Sequence, residues 1–345
     1  MANGEAKRII LARHPEGMPT KDDLKIESMP MPKPEANEML LRVIYLSLDP
    51  YMRGRMSPAK SYAAGVRPGN TMVGGTVAEV MESNLAGFAP GDLVLSYSGW
   101  QTHALSDGKG ILKLDPRQAP VTTALGVLGM PGFTAYVGLI EHGRPKAGET
   151  VVVSAASGAV GQIVGQIARI MGCRTVGIAG AEDKCRMVTE EFGFDAAVNY
   201  KEAGFRDALK AACPAGIDVY FENVGGDVFT AVIPLLNDFA RIPVCGRIAH
   251  YNDPSLPGGP DRLPQFMGLV LTKRLSVRGF IQFDHLDRTV DFRRDMSGWI
   301  RGGKVRYRED VVQGIDNTVE AFRGLLTGRN RGKLIVQFGP DQIGR

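Results

Sequence analysis

Hydrophobic and polar positions follow two different patterns along the chain. From residue 38 to about 115, short alternating segments such as MLLRVIYLSL (39–48), GGTVAEVM (74–81) and DLVLSYS (92–98) are separated by Pro, Gly and Asn. This spacing is typical of an all-β, barrel-like region. The pattern changes after the small-residue segment GMPGFTAY (129–136).

Beyond residue 136, short apolar strands alternate with helical periodicity, which predicts a doubly wound parallel sheet. A last helix is predicted around 286–301, and the strand KLIVQF (333–338) is predicted to return to the first domain. We therefore predict one domain over 1–128 and 304–345, and a second over 129–303. The predicted strands of the second domain lie in VVVS (151–154), TVGIAG (175–180), AAVNY (196–200), IDVYFENVGG (217–226), RIPVCGRI (241–248) and SVRGFIQF (276–283).

The segment VVVSAASGAVG (151–161) almost matches the dinucleotide-binding pattern G-x-G-x-x-G. Ala156 stands in the first glycine position, and Gly158 and Gly161 hold the second and third. At such a strand-to-helix turn the backbone approaches a pyrophosphate closely, and the helix N-terminus favours that anion. The pattern indicates a dinucleotide site, and a purely structural turn is the alternative.

The end of the next strand, GIAGAED, bears on the choice between NAD and NADP. An NAD site places an acidic residue there, about 20 residues after the glycine turn. This chain has Gly180 and Ala181 instead, which leave room for a 2′-phosphate, and Lys184 follows as its counter-charge. Glu182 and Asp183 fit the first turn of a helix, and a solvated helix lysine is the alternative for Lys184.

Composition narrows the classes further. With 345 residues, 44% hydrophobic and 23% charged, the chain is expected to form two domains with a sizeable core. The net charge of +4 comes from 41 basic and 37 acidic residues without a like-charge run, which argues against nucleic-acid binding. No apolar stretch has the length of a membrane span and no secretory segment is recognisable, so we expect a cytosolic protein.

The four cysteines, Cys173, Cys185, Cys213 and Cys245, are scattered through the middle of the chain. They show no C-x-x-C spacing and no neighbouring histidine pair, and the first half of the sequence contains no cysteine. A zinc site needs a tetrahedral set of Cys, His or carboxylate ligands. We therefore expect structural thiols and no metal.

Taken together, eight segments resemble the medium-chain dehydrogenase/reductase superfamily, and within it the zinc-free leukotriene B4 dehydrogenase/prostaglandin reductase branch with its curcumin-reductase-like bacterial relatives. The resemblance implies a Rossmann-type α/β cofactor domain with a doubly wound parallel sheet, a GroES-like β-barrel catalytic domain and a homodimer. It also implies NADPH-dependent reduction of the carbon–carbon double bond of α,β-unsaturated ketones and aldehydes. The segments are LSLDPYMRGRM (46–56), GMPGFTAY, AASGAVGQIVGQIA (155–168), GAEDK (180–184), VNYK (198–201), FENVGG (221–226), VCGRIAHYN (244–252) and GRNRGKLIV (328–336).

The resemblance also assigns cofactor contacts. Tyr200 as a strand-end aromatic and Asn223 as a turn residue are the structural alternatives. The implied contacts are Gly158, Ala159, Val160 and Gly161 at the pyrophosphate, Lys184 and Tyr200 at the 2′-phosphate, Asn223, Cys245, Gly246 and Tyr251 in a loop along the nicotinamide half, the backbone of Phe280, Ile281 and Gln282, and the side chain of Asn330.

Hydride transfer to the β-carbon of an enone leaves negative charge on the carbonyl oxygen, and this enolate needs a hydrogen-bond donor. A tyrosine hydroxyl, with its pKa near 10, donates without ionising. We expect Tyr251 in this role because it follows a strand at its carboxyl end, where such sheets bind ligands. Tyr51 is the second candidate, facing Tyr251 across the cleft, with packing as its alternative. The ribose 2′-hydroxyl of the cofactor shares this work in the family, and water suffices to protonate the α-carbon.

His250 adjoins the preferred tyrosine and is disfavoured as a general base. Neighbouring residues on a strand point to opposite faces, so His250 and Tyr251 are not expected to face the substrate together. Two rival functions remain open: a zinc-free NADPH quinone reductase of the same superfamily, and a protein that binds NADPH as a sensor without turnover. Loops 57–68 and 252–266 are expected to shape the pocket, but the sequence does not identify the physiological substrate.

Overall fold

The computed structural model describes residues 5–255 and 261–340. The chain divides into two units, Met1–Leu125 with Glu309–Arg345, and Gly126–Arg308. We call them the β-rich unit and the cofactor unit. Residues 256–260, part of the loop predicted to shape the substrate pocket, lie outside the described residues. Among the residues that are described, no helix has both the length and the apolar character needed to cross a bilayer.

The strands lie, in chain order, at β1 (Glu5–Leu11), β2 (Leu24–Pro30), β3 (Met39–Ser47), β4 (Thr76–Ser83), β5 (Leu93–Ser96), β6 (His103–Ser106), β7 (Leu112–Leu114), β8 (Thr150–Ser154), β9 (Arg174–Ala179), β10 (Ala196–Asn199), β11 (Ile217–Phe221), β12 (Leu236–Val244), β13 (Ser276–Gly279), β14 (Glu309–Gln313) and β15 (Lys333–Gln337).

The α-helices are α1 (Tyr51–Arg55), α2 (Met130–Val137), α3 (Gly161–Ile170), α4 (Glu182–Arg186), α5 (Phe205–Ala212), α6 (Gly226–Val232), α7 (Leu263–Thr272), α8 (Thr289–Arg301) and α9 (Thr318–Leu326). Two π-helical turns follow helices directly, at Gly138–Gly143 and Met187–Glu191. Short 3₁₀ turns lie at Val121–Leu125, Ile233–Leu235, Ile248–His250, Gln282–Arg288 and Ile315–Asn317.

The cofactor unit contains a six-stranded, all-parallel sheet in the order β10-β9-β8-β11-β12-β13. Numbered within the unit, this is the order 3-2-1-4-5-6 of a dinucleotide-binding Rossmann sheet. The predicted doubly wound parallel sheet is confirmed. The strand order reverses between β8 and β11, and ligands of such sheets bind outside the carboxyl ends at that point.

Alternation along the central strand builds a core on each face of the sheet. Val151 and Val153 of β8 pack into one hydrophobic cluster with Ile163 and Ile167 of α3, whereas Val152 packs into another with Leu209 of α5. Every residue of β8 is buried, because strands and helices cover both faces. The apolar run therefore reads as continuous although its side chains serve two cores.

Two predicted elements of this unit end earlier than the sequence suggested, and β12 also begins earlier, at Leu236 rather than Arg241. Strand β12 ends at Val244, because the N–H groups of Cys245 and Gly246 turn away to the carbonyl oxygen of Glu222. The helix predicted to run to Phe192 is α4 followed by a π-helical turn.

The β-rich unit contains a seven-stranded sheet in the order β14-β15-β3-β4-β5-β7, with β6 also paired to β3, and a separate antiparallel pair β1-β2. The last strand, β15, pairs antiparallel with β3. Buried Trp100 packs edge-on against Phe322 of α9, with ring centroids 5.3 Å apart. These contacts place the closing strand of the chain beside its first long strand.

Candidate cofactor and active site

The turn after β8 leaves no room for a side chain at Gly161 and little room at Gly158. Ala155 adopts a left-handed conformation with φ +50°, and its carbonyl oxygen accepts the Gly158 N–H at 2.9 Å. A Cβ on Gly161 would lie 2.3 Å from the Ala155 oxygen, whereas a Cβ on Gly158 would meet only that oxygen, at 3.2 Å. The backbone at Gly158 is therefore open on its other side, as close approach by a pyrophosphate requires.

Helix α3 begins at Gly161 immediately after this turn, so Ala159 and Val160 complete the predicted pyrophosphate segment. Ala156, in the first glycine position, is fully buried. The small side chain at this position packs inside the unit, which explains why alanine replaces glycine there.

At the end of β9, Gly180 is explained by an aromatic ring. A Cβ on Gly180 would lie 2.8 Å from Cε1 of Tyr200, so the ring occupies the space that a side chain would take. At residue 180, the Tyr200 ring therefore occupies the space that the sequence analysis assigned to a phosphate. Tyr200 remains partly exposed, and the Lys201 ammonium lies 5.8 Å from its ring centroid.

Lys184 lies in the first turns of α4, directly after Glu182 and Asp183. Only 8% of its surface is exposed, so it is not the solvated helix lysine of the alternative interpretation. The structure therefore gathers Gly180, Lys184 and Tyr200 around the carboxyl ends of β9 and β10.

Asn223 follows β11 and connects it to β8. Its side-chain Nδ2 donates to the carbonyl oxygen of Ser154 at 2.8 Å, and its backbone N–H donates to Ser154 Oγ at 2.8 Å. Its own carbonyl oxygen accepts the N–H of Ile248. Asn223 thus lies at the strand-order reversal and contacts both neighbouring turns.

Tyr251 follows the 3₁₀ turn Ile248–His250 and is half-buried. Its hydroxyl lies 3.1 Å from the position that a Cβ on Gly246 would take. Gly246 therefore allows the phenol to lie against the loop that leaves β12. Tyr251 and Gly246, to which the sequence analysis gave different roles, are therefore in contact.

A cavity of about 340 Å³ opens beside this loop. Four of the predicted nicotinamide contacts line it: Cys245, Gly246, Phe280 and Ile281. Gln282, the next residue, is buried. The remaining lining residues are Val244, Arg247, Gly279 and Asp284. The loop after β12 and the end of β13 thus meet at one concave surface.

The geometric reason given against His250 is wrong, because His250 and Tyr251 lie in and after a 3₁₀ turn rather than on a strand. His250 Nδ1 instead contacts Asp253 Oδ2 at 2.8 Å. The strand had been extended too far because RIPVCGRI is apolar beyond Val244. The imidazole is engaged in a local pair, so the sequence argument is replaced by this contact.

The two remaining predicted residues lie in the β-rich unit. Tyr51 begins α1, and burial, with Asp49 and Tyr97 nearby, raises the pKa of its hydroxyl, which keeps the phenol protonated. Asn330 Nδ2 donates to the carbonyl oxygen of Gly332 at 2.8 Å. Their roles toward cofactor and substrate stay predictions.

Sequence analysis did not single out Glu222, which is only 4% exposed at the carboxyl end of β11. Its Oε1 accepts the N–H groups of Val224 (2.6 Å) and Gly225 (3.0 Å) and the hydroxyl of Ser154 (3.1 Å). The available signal was a charged residue directly after the apolar run IDVYF, at the point where the strand ends.

The four cysteines are buried or half-buried thiols. Burial raises the pKa of Cys173, Cys185 and Cys213 to about 11 and that of Cys245 to about 12, so these thiols are protonated at neutral pH. Within residues 5–255 and 261–340, no three His, Cys, Asp or Glu side chains are gathered to hold a metal.

Residues 7–114 match the family described as the N-terminal domain of oxidoreductase, and residues 159–299 match the zinc-binding dehydrogenase family. The chain is 49% identical to NADPH-dependent curcumin reductase of Escherichia coli, over 97% of each chain. It is 41% identical to prostaglandin reductase 1 of Bos taurus, over 96% of this chain and 99% of that protein. The crystal structure of CurA from Vibrio vulnificus in complex with NADPH matches with a TM-score of 0.93 and 52% identity, over 97% of this chain and 100% of that one.

Proposed function

The chain belongs to the medium-chain dehydrogenase/reductase family, in the branch of the curcumin and prostaglandin reductases, and from that premise we propose that it is an NADPH-dependent enone reductase. It reduces the carbon–carbon double bond of α,β-unsaturated ketones and aldehydes. One observation carries the proposal: the Tyr251 hydroxyl lies against Gly246, which lines the cavity at the carboxyl ends of β12 and β13. Open α/β sheets bind their ligands at this edge, and this supports Tyr251, which contacts a lining residue of the cavity, as the donor.

The cofactor unit supplies the groups that suit a dinucleotide phosphate. The open backbone at Gly158 and the N-terminus of α3 favour the pyrophosphate. Lys184 provides the positive charge for the 2′-phosphate, and Tyr200 provides an aromatic surface beside it. The cavity between the ends of β12 and β13 suits the nicotinamide half.

NADPH, when bound, supplies a hydride to the electron-poor β-carbon of the substrate. The chain then needs a donor for the enolate oxygen, and Tyr251 fills that role because a phenol donates without carrying charge. We assign Tyr51 a secondary role, and its raised pKa keeps it a donor at neutral pH. Water protonates the α-carbon, so no protein base is required.

We further propose a cytosolic homodimer. The four cysteines are free thiols, as the reducing cytosol favours. Helix α7 is apolar but has no buried residue, and Leu263, Met267 and Leu271 are exposed at helical spacing. Strand β13 forms one end of the parallel sheet, and uncovered edges invite pairing. We expect a dimer in sedimentation velocity and a monomer for Leu271→Asp; a monomeric wild type at micromolar concentration argues against this part.

The deciding experiment follows deuterium from C4-labelled NADPH into 4-phenyl-3-buten-2-one. We expect the saturated ketone with deuterium on the β-carbon. An allylic alcohol with deuterium on the former carbonyl carbon contradicts the proposal. Quinones and saturated alcohols are assayed in parallel: turnover of quinones alone indicates a quinone reductase, and NADPH binding without any turnover indicates a sensor.

Tyr251→Phe separates the proposed donor from cofactor binding. We expect a kcat about 100-fold lower, because loss of one donor to a developing oxyanion costs roughly 10²–10³ in rate. The Kd for NADPH should stay within about twofold. Tyr51→Phe is assayed in parallel. Because we assign Tyr51 the secondary role, we expect a smaller loss of kcat, and a larger loss than for Tyr251→Phe would transfer the primary role to Tyr51.

A further inference from the structure

The Glu222 carboxylate is buried without a cation among its hydrogen-bond partners. Oε1 is engaged by two backbone N–H groups and the Ser154 hydroxyl. Burial raises the pKa of this carboxyl, while the amides of Val224 and Gly225 oppose the rise. The buried Tyr220 hydroxyl is the neighbouring group, and burial and Glu222 raise its pKa in turn. A buried charge in such surroundings costs stability, which an apolar residue would avoid.

Three backbone turns meet at this residue. Its side chain holds the turn 223–226 and contacts Ser154, which immediately precedes the glycine turn 155–161. Its carbonyl oxygen accepts the N–H groups of Cys245 and Gly246, the first two residues of the loop that carries Tyr251. Hydrogen bonds from Ile248 to Asn223 and from Ala249 to Val224 continue this connection.

The turn itself is one that requires support. Gly225 and Gly226 have φ values of +79° and +57°, a conformation that costs side-chain residues energy and leaves glycine free to adopt others. The carboxylate fixes the turn by accepting two consecutive N–H groups. Without that acceptor the two amides would be partly buried and unpaired, and the turn would relax.

We propose that Glu222 is a positioning residue for the nicotinamide half of the cofactor. Its side chain holds the turn after β11, whose carbonyl groups accept the N–H groups of Ile248 and Ala249 in the loop after β12, so that binding does not have to order these two segments. The inference rests on the proposed NADPH function. The effect of Glu222 on binding should differ for the two halves of the cofactor. The predicted 2′-phosphate site, Gly180, Lys184 and Tyr200, lies on the turns after β9 and β10, which Glu222 does not contact.

The test compares two ligands by calorimetry: NADPH, which reaches both halves, and adenosine 2′,5′-bisphosphate, which lacks the nicotinamide half. For Glu222→Ala we expect the Kd for NADPH to rise about tenfold or more, because the turn 223–226, whose carbonyl groups accept the N–H groups of Ile248 and Ala249, loses its acceptor, whereas the Kd for the bisphosphate should stay within about twofold. The bonds from Cys245 and Gly246 to the backbone carbonyl of residue 222 remain in every variant. Glu222→Gln keeps an oxygen acceptor and should restore NADPH binding to within about threefold.

Asp218→Ala is the matched control, because Asp218 lies at the other end of the same strand. Its Oδ2 accepts the Thr150 N–H and its Oδ1 accepts the Asn237 amide, both at 2.8 Å. We expect this variant to lose thermal stability without a change in Kd for either ligand. If it weakens NADPH as much as Glu222→Ala, the effect is general destabilisation and the inference is overturned.

Equal weakening of both ligands by Glu222→Ala, or unchanged NADPH binding, also overturns it. Should Glu222→Ala not fold, Ser154→Ala removes the hydroxyl that donates to the carboxylate and accepts the Asn223 N–H, and we expect about threefold weaker NADPH with unchanged bisphosphate binding. No change in NADPH binding contradicts the proposal. Failure of the proposed function is distinguishable: if the protein does not use NADPH, the wild type binds neither ligand, and if only the reductase activity is absent, the two Kd values still test the inference while the enone assay shows no turnover.

Discussion

The two ends of the parallel sheet both use carboxylates to hold backbone amides, in different surroundings. At the amino end, Asp195 accepts the Thr175 N–H at 2.7 Å, and Glu149 accepts the Lys146 N–H at 2.8 Å. Glu149 also pairs with the Arg241 guanidinium. Burial opposes ionisation of Glu149, but the bonds from Arg241 and Lys146 outweigh it and lower its pKa.

At the carboxyl end, Glu222 holds its amides without such a cation, and burial raises its pKa. The same end also has the left-handed Ala155 and the turn in which Gly161 tolerates no Cβ. The amino end is therefore built for stability, with its charge compensated. Left-handed residues occur at both ends, with Arg144 and Arg274 at the amino end, so the difference lies in the uncompensated burial of a carboxylate at the carboxyl end, which is typical of sites that bind ligands.

Substitutions in glycine turns at the two ends should differ most. A Cβ on Gly161 would lie 2.3 Å from the Ala155 oxygen and 2.8 Å from the Ala156 Cα. For Gly161→Val we expect a loss of about 3 kcal/mol or more in the free energy of unfolding, because overpacking forces the backbone to move. NADPH binding, followed by nicotinamide fluorescence, should fall below detection.

Gly148, in the turn before β8, provides the comparison. It has φ +87° with no atom within 4 Å of the position that a Cβ would take, so Gly148→Ala should cost only the left-handed strain, about 1–2 kcal/mol. NADPH affinity should not change. Equal loss of affinity in both variants would erase the distinction between the two ends.

Lys184 tests whether the carboxyl end receives an anion. A charge-assisted hydrogen bond is worth about 1.5–3 kcal/mol, so Lys184→Ala should weaken NADPH roughly 10- to 150-fold and leave NADH nearly unchanged. Binding of both cofactors is measured by fluorescence, with exposed Lys210→Ala as the control. An unchanged ratio of NADPH to NADH affinity removes Lys184 from the site.

Glu149 sharpens the comparison from the other end. Glu149→Gln weakens the bonds to Arg241 and should lower the free energy of unfolding by about 1–3 kcal/mol, the usual range for hydrogen bonds to charged groups. Urea unfolding measures this loss. We expect no change in the Kd for NADPH, because the residue stabilises the amino end; a change there would contradict the division.

The smallest expected effect is on the pH dependence of stability, which should have opposite signs for Glu149 and Glu222. Glu149, with its lowered pKa, stabilises the fold above the unfolded pKa near 4.3 and loses this contribution as pH falls through its folded pKa. The cost of Glu149→Gln should therefore shrink in acid. Glu222, with its raised pKa, binds a proton more tightly when folded, so ionisation costs stability as pH rises above about 4.3.

Glu222→Gln should accordingly gain stability relative to wild type between about pH 4 and 7. The slope is limited to about 1.4 kcal/mol per pH unit for one group. Urea unfolding of the wild type and both glutamine variants across this range gives the two signs. Slopes of the same sign would show that the two carboxylates lie in equivalent surroundings.

The sequence predicted elements best where packing alone decides them. Residues 151–154 read as a buried strand because both faces of β8 are covered, and alternation with helices gave the parallel sheet. The prediction failed at the ends of strands. Val244 is followed by apolar residues, so the neighbouring sequence gives no sign that Cys245 and Gly246 bond to Glu222. Long-range hydrogen bonds of this kind carry no periodicity.

The candidate site shows the same limit. Motif spacing predicted the turns that carry Gly158, Gly161 and Lys184, because a turn must follow each strand at a fixed distance, and the cofactor contacts of these residues stay predictions. It assigned Gly180 to a phosphate, whereas the ring that requires the glycine comes from Tyr200 in another element. Glu222 was missed because its role depends on the Ser154 hydroxyl and on the amides of Cys245 and Gly246, which become its neighbours only in the folded sheet.

The position of β15 governs the order in which the two units can be completed. The cofactor unit is one continuous segment, Gly126–Arg308, whereas β3 of the β-rich unit must wait for β15, which is synthesised nearly a whole chain later. Lys333 arrives with that strand and donates to Leu48 O and Asp49 Oδ1 in a site only 2% exposed. During translation the nucleotide-binding half is therefore complete before the other half closes its sheet, and the nascent chain leaves the segment Tyr45–Ser47 of β3 without its β15 partner until then.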